Sequence, residues 1–90
     1  MSKNSTVRFA EALIDAKAEI MRKVVKDYMN NLGFDLDVLP EDLDAVKSML
    51  TDKEMVYEEI GEYKPDGKTN LVTLSVALTR RNLRLRERNR

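Results

Sequence analysis

The chain has 90 residues, of which 42% are hydrophobic and 36% are charged, with three Gly and two Pro. A chain of this length holds one hydrophobic core, so we expect a single ordered domain over residues 1–90, rich in helix. It contains no Cys and no His, which excludes thiolate catalysis, disulfides and Cys-based zinc sites. We therefore expect no cofactor and no metal site. The longest uninterrupted apolar run is three residues, so we expect no membrane-spanning segment, and a cytoplasmic location is the default expectation.

The formal net charge is zero, but the charges are separated along the chain. Residues 1–26 contain six Lys or Arg and three Asp or Glu, a net charge of +3. Residues 27–66 contain three Lys or Arg and twelve Asp or Glu, a net charge of −9. Residues 67–90 contain seven Lys or Arg and one Glu, a net charge of +6. This separation indicates that the basic end contacts acidic groups in its own chain, in another copy or in an external polyanion.

Apolar residues recur every three or four positions over residues 5–32, which predicts one long helix. Gly33 follows this pattern and is predicted to be the left-handed residue that ends the helix. The apolar stripe is wide, and the rest of a 90-residue chain is short of residues to cover it. We therefore predict a homo-oligomer whose interface includes Leu13, Ile20, Met21, Val24 and Tyr28.

A second helix is predicted after a connector at residues 35–39, with Pro40 in its first turn beside several acidic residues. The sequence TDKE at residues 51–54 has the form of a capping box, which predicts that the helix bends there and continues to about Gly61. Residues 64–68, KPDGK, are typical of a turn in which Asp66 caps the backbone and Gly67 takes a positive φ.

Two structures are compatible with the residues on either side of this turn. Residues 71–79 alternate between apolar and polar side chains, as in a strand, and would form a hairpin with residues 56–63. Leucines at positions 71, 74, 78 and 85 also have helical spacing. The predicted fold class is all-α, with a long N-terminal helix, a bent acidic second helix and a basic C-terminal helix. The alternative is an α+β fold with a hairpin at residues 56–79.

Catalysis is not expected, because the usual general base and the strongest nucleophile are both missing. The acidic clusters at residues 35–44 and 58–62 lack the spacing of a calcium-binding loop and are typical of helix caps and solvated faces. The sequence therefore predicts a protein that is not an enzyme.

The clearest binding feature is the arginine-rich end. Five candidate nucleic-acid-binding residues lie there: Arg80, Arg81, Arg84, Arg86 and Arg88. In a helix, Arg80, Arg84 and Arg88 would share one face. Together with neighbouring arginines they would neutralise roughly three to five phosphates. Three alternatives remain open: a solvated tail, a clasp onto the acidic block of another subunit, and contact with an acidic protein.

The chain contains LDAV at residues 43–46, YEEI at 57–60, DGKTNLVTLS at 66–75 and RRNL at 80–83. These four stretches resemble the small terminase subunits of phages. The resemblance implies a helical, ring-forming, non-catalytic protein that recognises viral DNA and passes it to the large packaging subunit in a bacterial host. It also favours a helix over residues 70–85.

We therefore expect a phage-type, DNA-associated assembly protein that acts as a helical homo-oligomer, with duplex DNA as its partner. The alternative is a protein–protein interaction module, such as a small inhibitor or antitoxin, that uses its acidic middle. In that case Glu58, Glu59 and Glu62 would contact a basic protein partner.

Overall fold

A computed structural model of the protein describes residues 5–23 and 32–88. The elements are helix α1 (Ser5–Lys23), strand β1 (Gly33–Val38), a 3-10 turn (Pro40–Asp42), helix α2 (Leu43–Asp52), strands β2 (Val56–Tyr63) and β3 (Leu71–Ala77), and helix α3 (Arg80–Arg88). The strands form one antiparallel sheet in the order β1-β3-β2. The predicted all-α fold class is therefore wrong, and the α+β alternative with a hairpin at residues 56–79 is confirmed.

Strand β1 occupies the segment that was expected to be a connector. Phe34, Leu36 and Val38 are buried while Asp35 and Asp37 are exposed, which is the period of two that a strand requires. The predicted connector is thus wrong, and Gly33 begins a strand instead of ending a helix. The last part of the predicted long helix, residues 24–31, lies outside the described residues.

The acidic second helix is shorter than expected. Pro40 begins a 3-10 turn that leads into α2, as its position predicted, but α2 ends at Asp52. Glu54 then takes a φ of 60°, which turns the chain away from the helix axis, and β2 begins at Val56. The predicted bend and helical continuation to Gly61 are therefore wrong, because TDKE closes a helix here and does not restart one.

The turn between β2 and β3 is confirmed. Gly67 has a φ of 73°, and Asp66 Oδ1 accepts hydrogen bonds from the backbone N–H groups of Lys68 at 2.9 Å and Thr69 at 2.7 Å. Beyond the turn, residues 71–77 are a strand, so the helix that the terminase resemblance favours over residues 70–85 is wrong for this part. Strand β3 is the central strand and has a neighbour on each side, which satisfies its backbone groups in both directions.

One face of the sheet forms the core with α1 and α2. Leu36 pairs with Leu74, and Phe34 with Val76, so these four side chains lie on the same face. They belong to one buried cluster with residues of both helices, among them Ile14 and Leu50, which are fully buried. Burying a side chain of this size contributes roughly 1.5–3 kcal/mol, so this cluster supplies much of the stability.

The opposite face of the sheet carries α3. Asp35 and Ser75 are cross-strand partners and lie between the two core pairs along the strands. Because side chains alternate between the faces of a sheet, Asp35 and Ser75 point away from α1 and α2. Arg86 of α3 contacts both of them, which places α3 on this second face. The described residues thus form three layers, and none of their helices is long and apolar enough to cross a membrane.

Candidate nucleic-acid interface

Helix α3 begins at a side-chain cap next to the end of β3. Thr79 Oγ1 accepts a hydrogen bond from the backbone N–H of Asn82 at 3.1 Å, and its carbonyl oxygen accepts one from Leu83. This is the N-cap arrangement that Thr favours. The cap sets the direction in which the helix leaves the sheet, and Arg86 and Arg88 lie in the last turn, where the helix dipole favours positive charge.

The inner side of α3 is attached to the sheet by one apolar and one charged residue. Leu83 is buried. Arg86 Nε donates to Ser75 Oγ at 3.1 Å, and Arg86 Nη2 lies 2.5 Å from Asp35 Oδ1. Because Ser75 is fully buried, the guanidinium group satisfies a hydroxyl that water does not reach. Arg86 therefore holds the helix on the sheet.

Gly33 makes this attachment possible. A Cβ at that position would lie 2.7 Å from Arg86 Cδ and would also collide with the carbonyl oxygen of Val76. The absence of a side chain lets the aliphatic part of Arg86 pass close to the β1 backbone. The glycine is thus required first by the close approach of the β3 backbone at Val76 and then by Arg86 of α3, not by a positive φ.

The outer side of α3 is exposed and basic. Arg80, Arg81, Arg84 and Arg88 are all exposed. None of the salt bridges formed between described residues involves these four side chains. The eight residue steps from Arg80 to Arg88 correspond to about 12 Å along a helix axis. We call these four residues the arginine face.

Two lysines elsewhere in the described structure pair with acids of the same chain. Lys47 Nζ lies 2.7 Å from Glu59 Oε1, and this hydrogen bond raises the pKa of Lys47. Lys53 Nζ lies 2.7 Å from Asp15 Oδ1 and 3.4 Å from Glu11 Oε2, and the bond to Asp15 is the main cause that raises the pKa of Lys53. These two lysines join α2 to β2 and to α1.

The five arginines predicted to bind nucleic acid therefore fall into two groups. Four form the arginine face, and the fifth, Arg86, is directed at the sheet. The sequence indicated the helical spacing of the first group, but it contained no signal that Arg86 differs, because its partners Asp35 and Ser75 are distant in the chain.

The residues predicted to form an oligomer interface are also divided. Met21 is buried in the core of its own chain, and Leu13 is half-buried against that core. Ile20 is 52% exposed. Val24 and Tyr28 lie outside the described residues. Phe9, which was not among the predicted residues, is the most exposed large apolar side chain described, at 73%.

The acidic residues considered for a protein partner lie on β2, an edge strand of the sheet. Glu58, Glu59 and Glu62 are exposed, and Glu59 is already paired with Lys47. The register of β2 against β3 shifts between Glu59 and Gly61, as at a β-bulge. Bulges and charges are common devices that keep an edge strand from pairing with other strands.

The uncovered part of the second sheet face carries a polar cluster. Asp37 accepts hydrogen bonds from Tyr63 Oη at 2.9 Å and from Thr73 Oγ1 at 2.7 Å. The bond to Asp37 raises the pKa of Tyr63, because it stabilises the protonated phenol. The tyrosine hydroxyl is thus used within the fold. Across residues 5–23 and 32–88, no group of three potential ligands could hold a metal ion.

Comparison with known proteins yields no match to a family model, a curated protein or a solved structure.

Proposed function

We propose that this is a non-catalytic protein that binds the phosphate backbone of duplex DNA through the arginine face of α3. One observation supports the proposal above all others. Four arginines are exposed on one short helix without a salt-bridge partner among the described residues, while Arg86 on the same helix is fully engaged with the sheet. The helix is thus fixed on one side and basic on the other.

The dimensions of the arginine face suit a phosphate backbone. Each strand of B-DNA rises about 3.4 Å per phosphate, so a face about 12 Å long spans about three phosphates of one strand. The guanidinium group donates two parallel hydrogen bonds to phosphate oxygens and stays charged at all physiological pH values. Binding would release condensed counterions and would weaken steeply with salt.

Backbone contact without base reading is the form of binding that we propose. The inner side of α3 packs on the sheet through Leu83 and Arg86, so the helix presents only its outer side. Phosphate contacts position a protein on DNA but carry no sequence information. We therefore expect similar affinity for duplexes of different sequence.

The resemblance to phage small terminase subunits supports a narrower role in DNA packaging or assembly in the cytoplasm of a bacterial host. This narrower role rests on the short stretches quoted from the sequence, whereas the DNA-binding proposal rests on the arginine face. A helical architecture for such an assembly is not proposed, because the fold is α+β.

Fluorescence anisotropy with a labelled duplex at low salt tests the proposal. The triple variant Arg80→Gln/Arg84→Gln/Arg88→Gln removes three charges from exposed positions and should lower the affinity by more than about tenfold. The matched control Arg22→Gln/Lys64→Gln/Lys68→Gln removes the same charge from α1 and the β2–β3 turn and should change affinity far less. An equal loss in both variants, or no binding by the wild type, would contradict the proposal.

A second candidate function is supported by the position of the acidic residues. Glu58 and Glu62 are exposed on an edge strand and lie on opposite faces of the sheet, so a basic protein that contacts this edge from both sides could pair with both. The test is a titration with a synthetic oligolysine peptide, followed by amide NMR shifts. Shifts confined to β2 that disappear in Glu58→Gln/Glu62→Gln would support this function, and unshifted β2 amides would exclude it.

A further inference from the structure

Helix α1 carries two apolar rows. The first row packs in the core and consists of Val7, Ala10, Ile14, Ala18 and Met21. The second row consists of Phe9, Leu13, Ala16 and Ile20, at successive spacings of four, three and four residues. Phe9 is 73% and Ile20 is 52% exposed, and they are two of the three large apolar side chains that are exposed in the described part of the chain.

A groove lies beside the second row. It has a volume of about 270 Å³ and is lined on one side by Phe9 and Leu13 of α1 and on the other by residues 35–38, with Val46 of α2 also in contact. Because β1 is an edge strand, four consecutive β1 residues can line the groove along the outer edge of the sheet. Exposed apolar side chains next to an apolar groove are typical of an interaction surface.

We propose that this surface binds a second copy of the chain, with the two α1 helices packed antiparallel about a twofold axis between Leu13 and Ala16. The spacing of the second row is that of a coiled-coil seam, which is suited to another helix. In this arrangement Phe9 faces Ile20 of the second copy, beside the groove, and Leu13 faces Ala16 of the second copy. A large residue thus meets a small one in the centre.

Charge favours the antiparallel arrangement of two identical helices. Arg8 and Glu19 are both exposed and, being eleven residues apart, lie within about 20° of each other around the helix. Antiparallel packing brings Arg8 of each copy near Glu19 of the other. Parallel packing would place the Arg8 and Glu19 side chains of the two copies on opposite sides of the seam, where they cannot pair, and would leave Ala16 facing Ala16 with a void between them.

The sheet edge is less suited to self-association than α1. If two β1 strands paired antiparallel about Leu36, Asp35 of one copy would lie opposite Asp37 of the other. Like charges directly opposite each other destabilise an antiparallel pair. The helix seam is therefore the contact that the proposal specifies.

Light scattering after size-exclusion chromatography tests the association. The subunit mass is 10.4 kDa, so a dimer has twice this mass. Ile20→Glu should reduce the particle to one subunit, whereas Arg22→Gln, which changes the charge by the same amount on the other side of the last turn, should leave it dimeric. Circular dichroism would show that both variants remain folded. A wild-type mass of one subunit at every concentration would overturn the proposal.

Disulfide trapping tests the orientation, because the chain has no cysteine of its own. The double variant Phe9→Cys/Ile20→Cys should form a covalent dimer on mild oxidation. Neither single variant should do so, since equivalent positions in the antiparallel pair are about 16 Å apart and a disulfide spans at most about 7 Å between Cα atoms. Efficient trapping of either single variant would contradict the antiparallel arrangement. Neither experiment involves DNA, so the outcome is independent of the proposed function.

Discussion

Arg86 of α3 and Asp35 of β1 are 51 residues apart in the sequence, yet Arg86 Nη2 lies 2.5 Å from Asp35 Oδ1. This salt bridge and the bond to Ser75 attach the basic helix to the sheet. They orient α3 so that its other arginines face away from the sheet.

We expect Arg86→Gln to destabilise the fold by about 1–3 kcal/mol, because it removes a charged hydrogen-bond donor from the buried Ser75 hydroxyl and from Asp35. Urea unfolding followed by circular dichroism measures the change. The matched control is Arg84→Gln on the exposed side of α3, which should change the free energy of unfolding by no more than about 0.5 kcal/mol. Equal effects of the two substitutions would show that Arg86 does not hold α3 in place.

Gly33→Ala should also destabilise the protein, by about 1–3 kcal/mol, because the added methyl group collides with the Val76 carbonyl and with Arg86 Cδ. Gly61→Ala is the appropriate control, since a Cβ there has no atom within 4 Å. It should be neutral or slightly stabilising. Thermal unfolding of the two variants side by side tests this difference, and a tolerated Gly33→Ala would contradict the close packing around Gly33.

The turn between β2 and β3 should contribute stability that depends on pH. The backbone N–H of Thr69, followed by that of Lys68, lowers the pKa of Asp66 below its ordinary value of 3.8. The stabilisation is therefore fully present above the unfolded-state pKa and is lost as the pH falls through the folded-state pKa. Asp66→Ala should lower the urea midpoint at neutral pH, and its difference from wild type should shrink in acid. A difference that stays constant with pH would rule out this linkage.

Tyr63 should show the opposite dependence at alkaline pH. Its hydrogen bond to Asp37 raises the pKa of the phenol above the ordinary value of 10.0. The associated stability is present below the unfolded-state pKa and is lost as the pH rises through the folded-state pKa. Ultraviolet titration should reveal a late-ionising tyrosine that is missing in Tyr63→Phe and returns toward ordinary behaviour in Asp37→Asn. An unchanged titration curve in Asp37→Asn would mean that Asp37 is not the cause.

Local signals predicted some of these elements and misidentified others. The start of a helical segment at Pro40 and the turn at Gly67 depend on backbone properties of single residues, and both are confirmed. Gly33 was assigned to a helix end because the atoms that require a glycine there, the Val76 carbonyl oxygen and Arg86 Cδ, belong to distant parts of the chain. Residues 35–39 were predicted to be a connector; two aspartates in six residues disfavour a strand by intrinsic propensity, and the pairing with β3 overrides this.

Local sequence signals also miss the distant contacts that shape the candidate site. Helical spacing identifies which arginines share a face, but only the fold shows that one of the five predicted residues is turned inward. The hairpin was harder to predict, because apolar residues in β2 and β3 fit both a helical and a strand period. The pairing of β3 with strands on both sides decides the outcome, and that pairing depends on β1, a distant segment.

The salt dependence of duplex binding tests the central claim most directly. Each phosphate contact contributes about 0.9 to the slope of log K against log salt concentration. If the arginine face carries the binding, Arg80→Gln/Arg84→Gln/Arg88→Gln should reduce the magnitude of the wild-type slope by about 2.7, that is, three such contacts. A slope that is the same in the wild type and this variant would show that the DNA is held elsewhere and would contradict the account.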